Sequence, residues 1–351
     1  MAEAFIKYAE GIETKLLPLY PTPEDKWQSE YGQTDLLKEH YVSLEEAKSF
    51  KPTDILIFWA PETINQIAGI FGRKDCRYIS FALHEWTIFS KEFKQALDSF
   101  DFCAVPSSWS KETYIKNGVP EDKIFILPCG ISDEFLKSEG HKRNPDTTEH
   151  TNFIFVGKIE ERKAFDELIL TFNKASKNTN SHLKLLTFSQ TKDTDIRNYV
   201  KQLVPDNNNI FPFFARIDTE EKMRAIYEHS DYLLLPSRSG AVELPMLEAM
   251  TCGCLPICTN FSGMSYYLPE DYKFKILVKE LVPIYDPIYF PNKGEKGHWA
   301  EPDWTDLAQM IDYANEIPRS FYNDLSVHVY KHVRDNFSWS NIIPSFLKAI
   351  N

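Results

Sequence analysis

The sequence lacks any apolar run of about 18 residues, the length a membrane-crossing helix needs, so no such helix is expected. Its first residues carry Glu3 and Glu10, where a secretory signal wants a basic start and an unbroken apolar stretch. A cytoplasmic location is the expectation. There is no basic tract. Lys and Arg number 39 against 51 Asp and Glu, and the acidic excess holds along the chain: 17 against 25 over residues 1–150, and 22 against 26 after them. Such a chain draws neither a phosphate backbone nor an anionic lipid surface at long range, which argues against nucleic acid as a partner and gives no indication of membrane-surface association. The six cysteines, at 76, 103, 129, 252, 254 and 258, do not form a disulfide framework and are expected to be reduced. Cys252, Cys254 and Cys258 are spaced C-x-C-x3-C, with no second pair and no nearby histidine. They read as small apolar fillers where a helix runs into a buried strand, and no metal is expected there.

What is present is an ordinary globular balance, 43% hydrophobic and 26% charged, over 351 residues, enough for two domains. Short apolar runs read as buried strands: Asp54–Trp59, Arg77–Ala82, Phe102–Val105, Ile124–Leu127, Phe153–Val156, Leu183–Phe188 and Tyr232–Leu235. Amphipathic stretches lie between them, at Glu92–Ser99, Lys111–Asn117, Phe165–Ala175, Glu220–His229 and Leu244–Met250. Asn117-Gly118 is a helix stop. This alternation predicts an α/β fold with parallel sheets covered by helices. From Lys137 to Asn152 no large apolar residue occurs, a linker composition that places a hinge near residue 145. The expected division is 1–145, 146–335 and a final helical segment, 336–351, returning to the first domain. The first domain opens with helical spacing over Met1–Ile12 and a strand-like Lys15–Tyr20. The strand and Gly-rich turn with which a doubly wound unit normally begins are missing.

Two stretches carry chemistry. In the first, a strand ends at Gly157 and a turn carrying Lys158, Arg162 and Lys163 leads into a helix. Cations at a strand's C-terminal end, beside a helix N-terminus, suit a pyrophosphate. With no metal, fixed Lys or Arg must stabilise a departing diphosphate. A solvated basic turn is the plain alternative. In the second, a strand runs into a Ser/Gly loop carrying Ser239, Gly240 and Glu243, and a helix opens at Leu244-Pro245. Its free backbone N–H groups can take phosphate or sugar oxygens. Glu248, early in that helix, can accept two ribose hydroxyls, or merely complement the helix dipole.

These stretches resemble the donor half of the family 4 glycosyltransferases, retaining enzymes of the GT-B fold. The family's first motif is a strand followed by G-R/K-x-x-x-x-K-G, and its second is S-x-x-E-G-F-G-L-P-x-x-E-A-M-A-x-G. The resemblance extends to Cys103-Ala-Val-Pro-Ser-Ser-Trp-Ser, Asn117-Gly-Val-Pro-Glu-Asp-Lys-Ile, Leu127-Pro-Cys-Gly-Ile-Ser-Asp-Glu-Phe135 and Phe337-Ser-Trp339, in the family's order, over residues 75–351. It implies two Rossmann-like domains facing each other across a cleft, and transfer of a sugar from a nucleoside-diphosphate sugar to an acceptor hydroxyl, with retention and no metal. It implies Lys158 and Lys163 as the diphosphate clamp, with Gly157 and Arg162 in the same turn. Ser239, Gly240, Glu243 and Leu244 would bind the donor, Glu248 would hold its ribose, and His84 would lie beside the reacting centre, with a structural histidine at a strand end as its plain alternative. Three features depart from the pattern. Gly240 stands where the family has its first glutamate, with Glu243 three positions on as a possible substitute; Ala164 replaces a glycine; and the opening strand is missing. They leave a second reading, a catalytically degenerate relative that binds nucleotide or a partner enzyme. An epimerase or phosphorylase on the same architecture is a third.

Overall fold

The computed structural model describes all residues except 18–34, 59–60, 73–75, 141–149, 177–179, 189–194, 214–216 and 351. Two compact units emerge. The first comprises Met1–His84, Ile88–Gly130 and Asn336–Asn351; the second comprises Glu85–Thr87 and Ile131–Asp335. The packing therefore changes after Gly130, ahead of the expected boundary at 145, and residue 145 itself lies outside the described residues. The reason is local. The short helix Asp133–Leu136 is tied into the second unit, by Glu134 to Arg224 at 3.1 Å and by Phe135 beside Tyr227.

The first unit holds a four-stranded, wholly parallel sheet: β1 (Asp54–Phe58), β2 (Arg77–Phe81), β3 (Phe102–Val105) and β4 (Ile124–Ile126), side by side in that order. All four were expected, each within a residue at either end. Trp59, the expected end of β1, and Pro18–Tyr20 of the strand-like N-terminal stretch lie outside the described residues. Among the described residues no strand precedes β1; Leu16 makes only an isolated bridge to Tyr41. Buried Tyr78, Phe81, Phe100, Cys103 and Tyr114 form the core. Helix Ser108–Lys116 starts on Ser107, whose hydroxyl accepts from the Ser110 N–H, and stops at Asn117 with Gly118 at φ 82°. The final helix, Trp339–Ile350, packs in this unit. Phe346 meets Phe5 edge-on at 6.2 Å, and Arg77 donates to the Ile350 carbonyl at 2.6 Å. A Cβ at Gly130 would lie 2.6 Å from the Trp339 ring, so only glycine lets that helix sit so close.

The second unit is built on a six-stranded parallel sheet: β5 (Thr151–Lys158), β6 (Ser181–Phe188), β7 (Ile210–Phe213), β8 (Tyr232–Leu235), β9 (Leu255–Thr259) and β10 (Lys275–Ile276). The order is β10-β9-β8-β5-β6-β7. The chain leaves β5 toward one edge and then returns to build the other half from β8. The strand order therefore reverses between β5 and β8, where open α/β sheets bind ligands beyond the carboxyl ends of the strands. The inner strands read as unbroken apolar runs because both faces are covered; Phe153, Ile154, Phe155 and Tyr232–Leu235 are all buried. A two-stranded antiparallel hairpin, β11 (Val278–Pro283) with β12 (His298–Pro302), completes the unit. Cys252, Cys254 and Cys258 are buried and take part in no disulfide, and burial pushes Cys252 and Cys258 up to about 12. Among the described residues no helix is long and apolar enough to cross a membrane.

Candidate functional site

The reversal point is flanked by two loops, and they carry the expected motifs. After β5 a 3-10 turn, Glu161–Lys163, leads to helix Phe165–Ala175. Ala164, between them, adopts φ 50°, a left-handed conformation that a glycine takes more readily. After β8 the loop from Ser237 reaches helix Leu244–Thr251, with Pro245 in its first turn. The loops are stitched together: the Arg238 N–H donates to the Arg162 carbonyl at 2.7 Å, and the Arg162 guanidinium to the Ser239 carbonyl at 2.8 Å. Gly240 is clamped on both sides, its N–H on the Ser262 hydroxyl and its carbonyl under the Gly263 N–H, each at 2.9 Å. A Cβ at Gly263 would come within 1.9 Å of the Ala241 carbonyl oxygen, so that contact excludes any side chain.

Charge is concentrated in one buried cluster. Lys163 places its ammonium 2.6 and 2.5 Å from the two oxygens of Glu243. Arg162 reaches Glu243 at 3.2 Å, Glu160 at 2.6 Å and Glu85 at 3.1 Å. Lys163 is 6% exposed and Glu243 3%. Burial lowers the Lys163 pKa, the partial compensation by Glu243 notwithstanding. Burial also works against the Glu243 charge, but Lys163 and Arg162 overcome it and hold that carboxyl below its ordinary range. For Arg162 burial is again opposed, here by Glu85, Glu243 and Glu160, and the pKa rises. Glu85 is raised, chiefly by burial. Three carboxylates thus face two cations, where the sequence suggested an open basic turn.

Gly240 explains where Glu243 sits. A Cβ on residue 240 would lie 2.7 Å from the Glu243 carboxylate oxygen. The carboxylate of residue 243 therefore fills the space beside position 240, where the family pattern has a glutamate. Gly157 lies against the Lys163 stem, 3.7 Å from its hypothetical Cβ. Lys158 is exposed at the end of β5, and Leu244 is exposed at the helix start. Glu248 stands apart from the cluster. It is half-buried, accepts the Tyr227 hydroxyl at 3.0 Å, and burial raises its pKa to about 7. His84 belongs to the first unit. It is fully buried, stacked on Trp109 at 5.2 Å with Phe89 and Tyr114 also against its ring.

Four further side chains organise the site and were not singled out from the sequence, the first being Glu160 beside the basic turn. Glu85 enters the cluster from a segment far away in the chain, which no local pattern signals. Arg238, 8% exposed, donates to Glu301 at 2.8 Å, to Glu167 at 2.7 Å and to the Glu161 carbonyl. An arginine following a buried strand was its one visible signal. Asp286, 3% exposed, accepts from the N–H groups of Glu161, Ile288 and Tyr289 at 3.3, 2.8 and 2.9 Å, pinning the 3-10 turn to the segment beyond β11.

Comparison with known proteins finds glycosyltransferases. Residues 137–280 match the family described as glycosyl transferases group 1. A protein named as a glycosyltransferase in Sulfolobus islandicus filamentous virus is 22% identical over 258 residues, 71% of this chain and 66% of its own length. The chain spans between 60% and 66% of the curated relatives it matches. Among solved structures, a glycosyltransferase from Rickettsia africae superposes with a TM-score of 0.65 at 15% identity, covering 90% of this chain and 87% of that one. HepE of Anabaena, solved with UDP and glucose, gives 0.63 at 13% identity, covering 90% and 88%. The chain has the α/β fold of these GT-B glycosyltransferases, and its segment 137–280 matches the glycosyl transferases group 1 family.

Proposed function

We propose that the protein is a nucleotide-sugar-dependent, metal-independent glycosyltransferase acting with retention, and that its donor binds at the β5–β8 reversal. The observation that carries this reading is the buried Arg162–Lys163–Glu243 cluster at the carboxyl ends of those strands. In the step we envisage, the bond from the anomeric carbon to the diphosphate oxygen breaks and its electron pair leaves with the diphosphate. The acceptor oxygen bonds to the same face of that carbon, and its proton passes to a diphosphate oxygen. Lys163 and Arg162 exchange part of their hold on Glu243 for the diphosphate as its charge grows, with exposed Lys158 at the rim. Glu243, released in part, meets donor-sugar hydroxyls in place of a side chain at 240. Ser239, Gly240 and Leu244 supply backbone and wall, and Glu248 accepts the ribose hydroxyls. His84 contributes beside the reacting centre only if its aromatic cage opens.

A second reading has its own support. Three carboxylates on two cations hold the cluster closed, as expected of a relative that binds nucleotide, or a partner enzyme, without turnover. A panel of nucleotide sugars, screened by thermal shift and then for nucleoside-diphosphate release, separates the two. A donor-dependent rise in melting temperature with release supports transfer; a rise without release from any sugar supports a nucleotide-binding relative without turnover; no rise with any donor overturns both transfer and nucleotide binding and leaves only the partner-enzyme role.

A further inference from the structure

Beside the reversal point lies a cleft of about 270 Å³ that none of the donor residues proposed above occupies. Arg238 and Glu161 form one wall, Tyr285 and Lys293 the rim, and Trp299 and Glu301 the hairpin side. Each of the first two adjoins a candidate donor residue, Ser239 and Arg162 respectively, so the cleft begins one residue from the candidate site. Its walls are fixed. Trp299 is held by its indole N–H on the Glu85 carbonyl at 2.7 Å, Arg238 by Glu301 and Glu167, and the Glu161 turn by Asp286.

The lining chooses the ligand. Two cations, Arg238 and Lys293, face two carboxylates, Glu161 and Glu301, so no ligand of net charge gains from entering, and a second phosphate group is disfavoured. A neutral polyol both donates and accepts and so can use both kinds of wall. Tyr285, 45% exposed, offers an aromatic face, a rigid contact surface at little entropic cost. The volume lies just below the roughly 300 Å³ at which pockets for drug-sized ligands begin, room for one pyranose ring and not for a nucleotide sugar.

We infer that this cleft is a subsite for one neutral sugar unit of a glycan acceptor, held between the hairpin and the Glu161 turn. Its role as an acceptor subsite rests on the transfer reading above; its affinity for sugar does not. The test is saturation-transfer NMR on the full chain with the methyl glycosides of glucose, galactose, mannose and N-acetylglucosamine, with UDP, GDP and ADP titrated separately. At least one glycoside is expected to bind without displacement by any nucleotide. Tyr285→Ala is expected to weaken it tenfold or more, and Lys293→Ser several-fold, with nucleotide affinity unchanged in both. Absence of binding by all four glycosides, displacement by a nucleotide, or binding unaltered in Tyr285→Ala overturns the subsite. Sugar binding without any nucleotide binding sinks the donor reading instead and leaves a sugar site alone.

Discussion

The two sheets of this protein differ in one topological respect. In the first unit the four described strands run in sequence order across the sheet, each beside the next, with no reversal. In the second, the chain starts at β5 in the middle and builds outward twice, leaving two strand-end loops that part from each other between β5 and β8. The chemistry follows that difference. The strand-end histidine of the first unit, His84, is wrapped in aromatic rings, whereas the loops at the reversal, with Glu85 from a distant segment, gather two cations and three carboxylates within hydrogen-bond reach. Diverging loops leave a crevice whose walls belong to different segments, and there Arg162 and Lys163 of one loop meet Glu243 of the other.

The strongest way to break this contrast is to unbalance the cluster. Glu243→Ala leaves Lys163 buried with its main partner gone, and we expect a loss of about 3–5 kcal/mol in urea unfolding. Replacing both partners, as Lys163→Met with Glu243→Leu, is expected to restore most of that stability without restoring nucleotide binding. Next in size, His84→Ala removes a ring from the first unit's core and should cost about 2–4 kcal/mol. Nucleoside-diphosphate affinity, measured calorimetrically, should be unchanged.

A smaller effect separates Glu243, which precedes the helix that opens at Leu244, from Glu248 inside it. Glu243 is held ionised by cations. Glu248, with a phenol for partner and Glu220 adding repulsion, is raised by burial to about 7. Its protonated form favours the fold, so its contribution is complete below the ordinary carboxyl pKa and is lost as pH rises through about 7. Above that pH the ionised group is the better ribose acceptor. Nucleotide affinity is therefore expected to rise between pH 6 and 8 in the natural protein, and both that rise and the matching fall in stability should flatten in Glu248→Gln. Smallest of all, Ala164→Gly relieves left-handed strain of about 1–2 kcal/mol but frees the unfolded chain by about 0.4–1 kcal/mol. The net gain, read as melting temperature, should be a few degrees at most.

Much of this was readable from residue order because buried parallel strands are runs of apolar side chains. β3 and β8 fall where Phe102–Val105 and Tyr232–Leu235 predict, and helix Phe165–Ala175 keeps its expected bounds. The hairpin was not readable. β11 is largely exposed and includes Lys279, Glu280 and Pro283, so neither an apolar run nor a clean alternation marks it. The same holds within the candidate site. Arg162, Lys163 and Glu243 lie inside local motifs, but Glu85, which pairs with Arg162, and Asp286, which pins their turn, come from elsewhere in the chain. Nor does a basic turn read along the sequence show that its cations are already paired. That depended on Gly240 vacating the space which Glu243 fills.

The most direct measurement is calorimetric titration of UDP, GDP and ADP into the natural protein, Lys163→Ala and Lys163→Arg. Glu243 keeps Arg162 in the alanine variant, so the fold should survive, as circular dichroism and the melting temperature would report. The account predicts that at least one nucleoside diphosphate binds the natural protein, a loss of a hundredfold or more in Lys163→Ala, and partial recovery in Lys163→Arg. Equal affinity in all three folded proteins would contradict it.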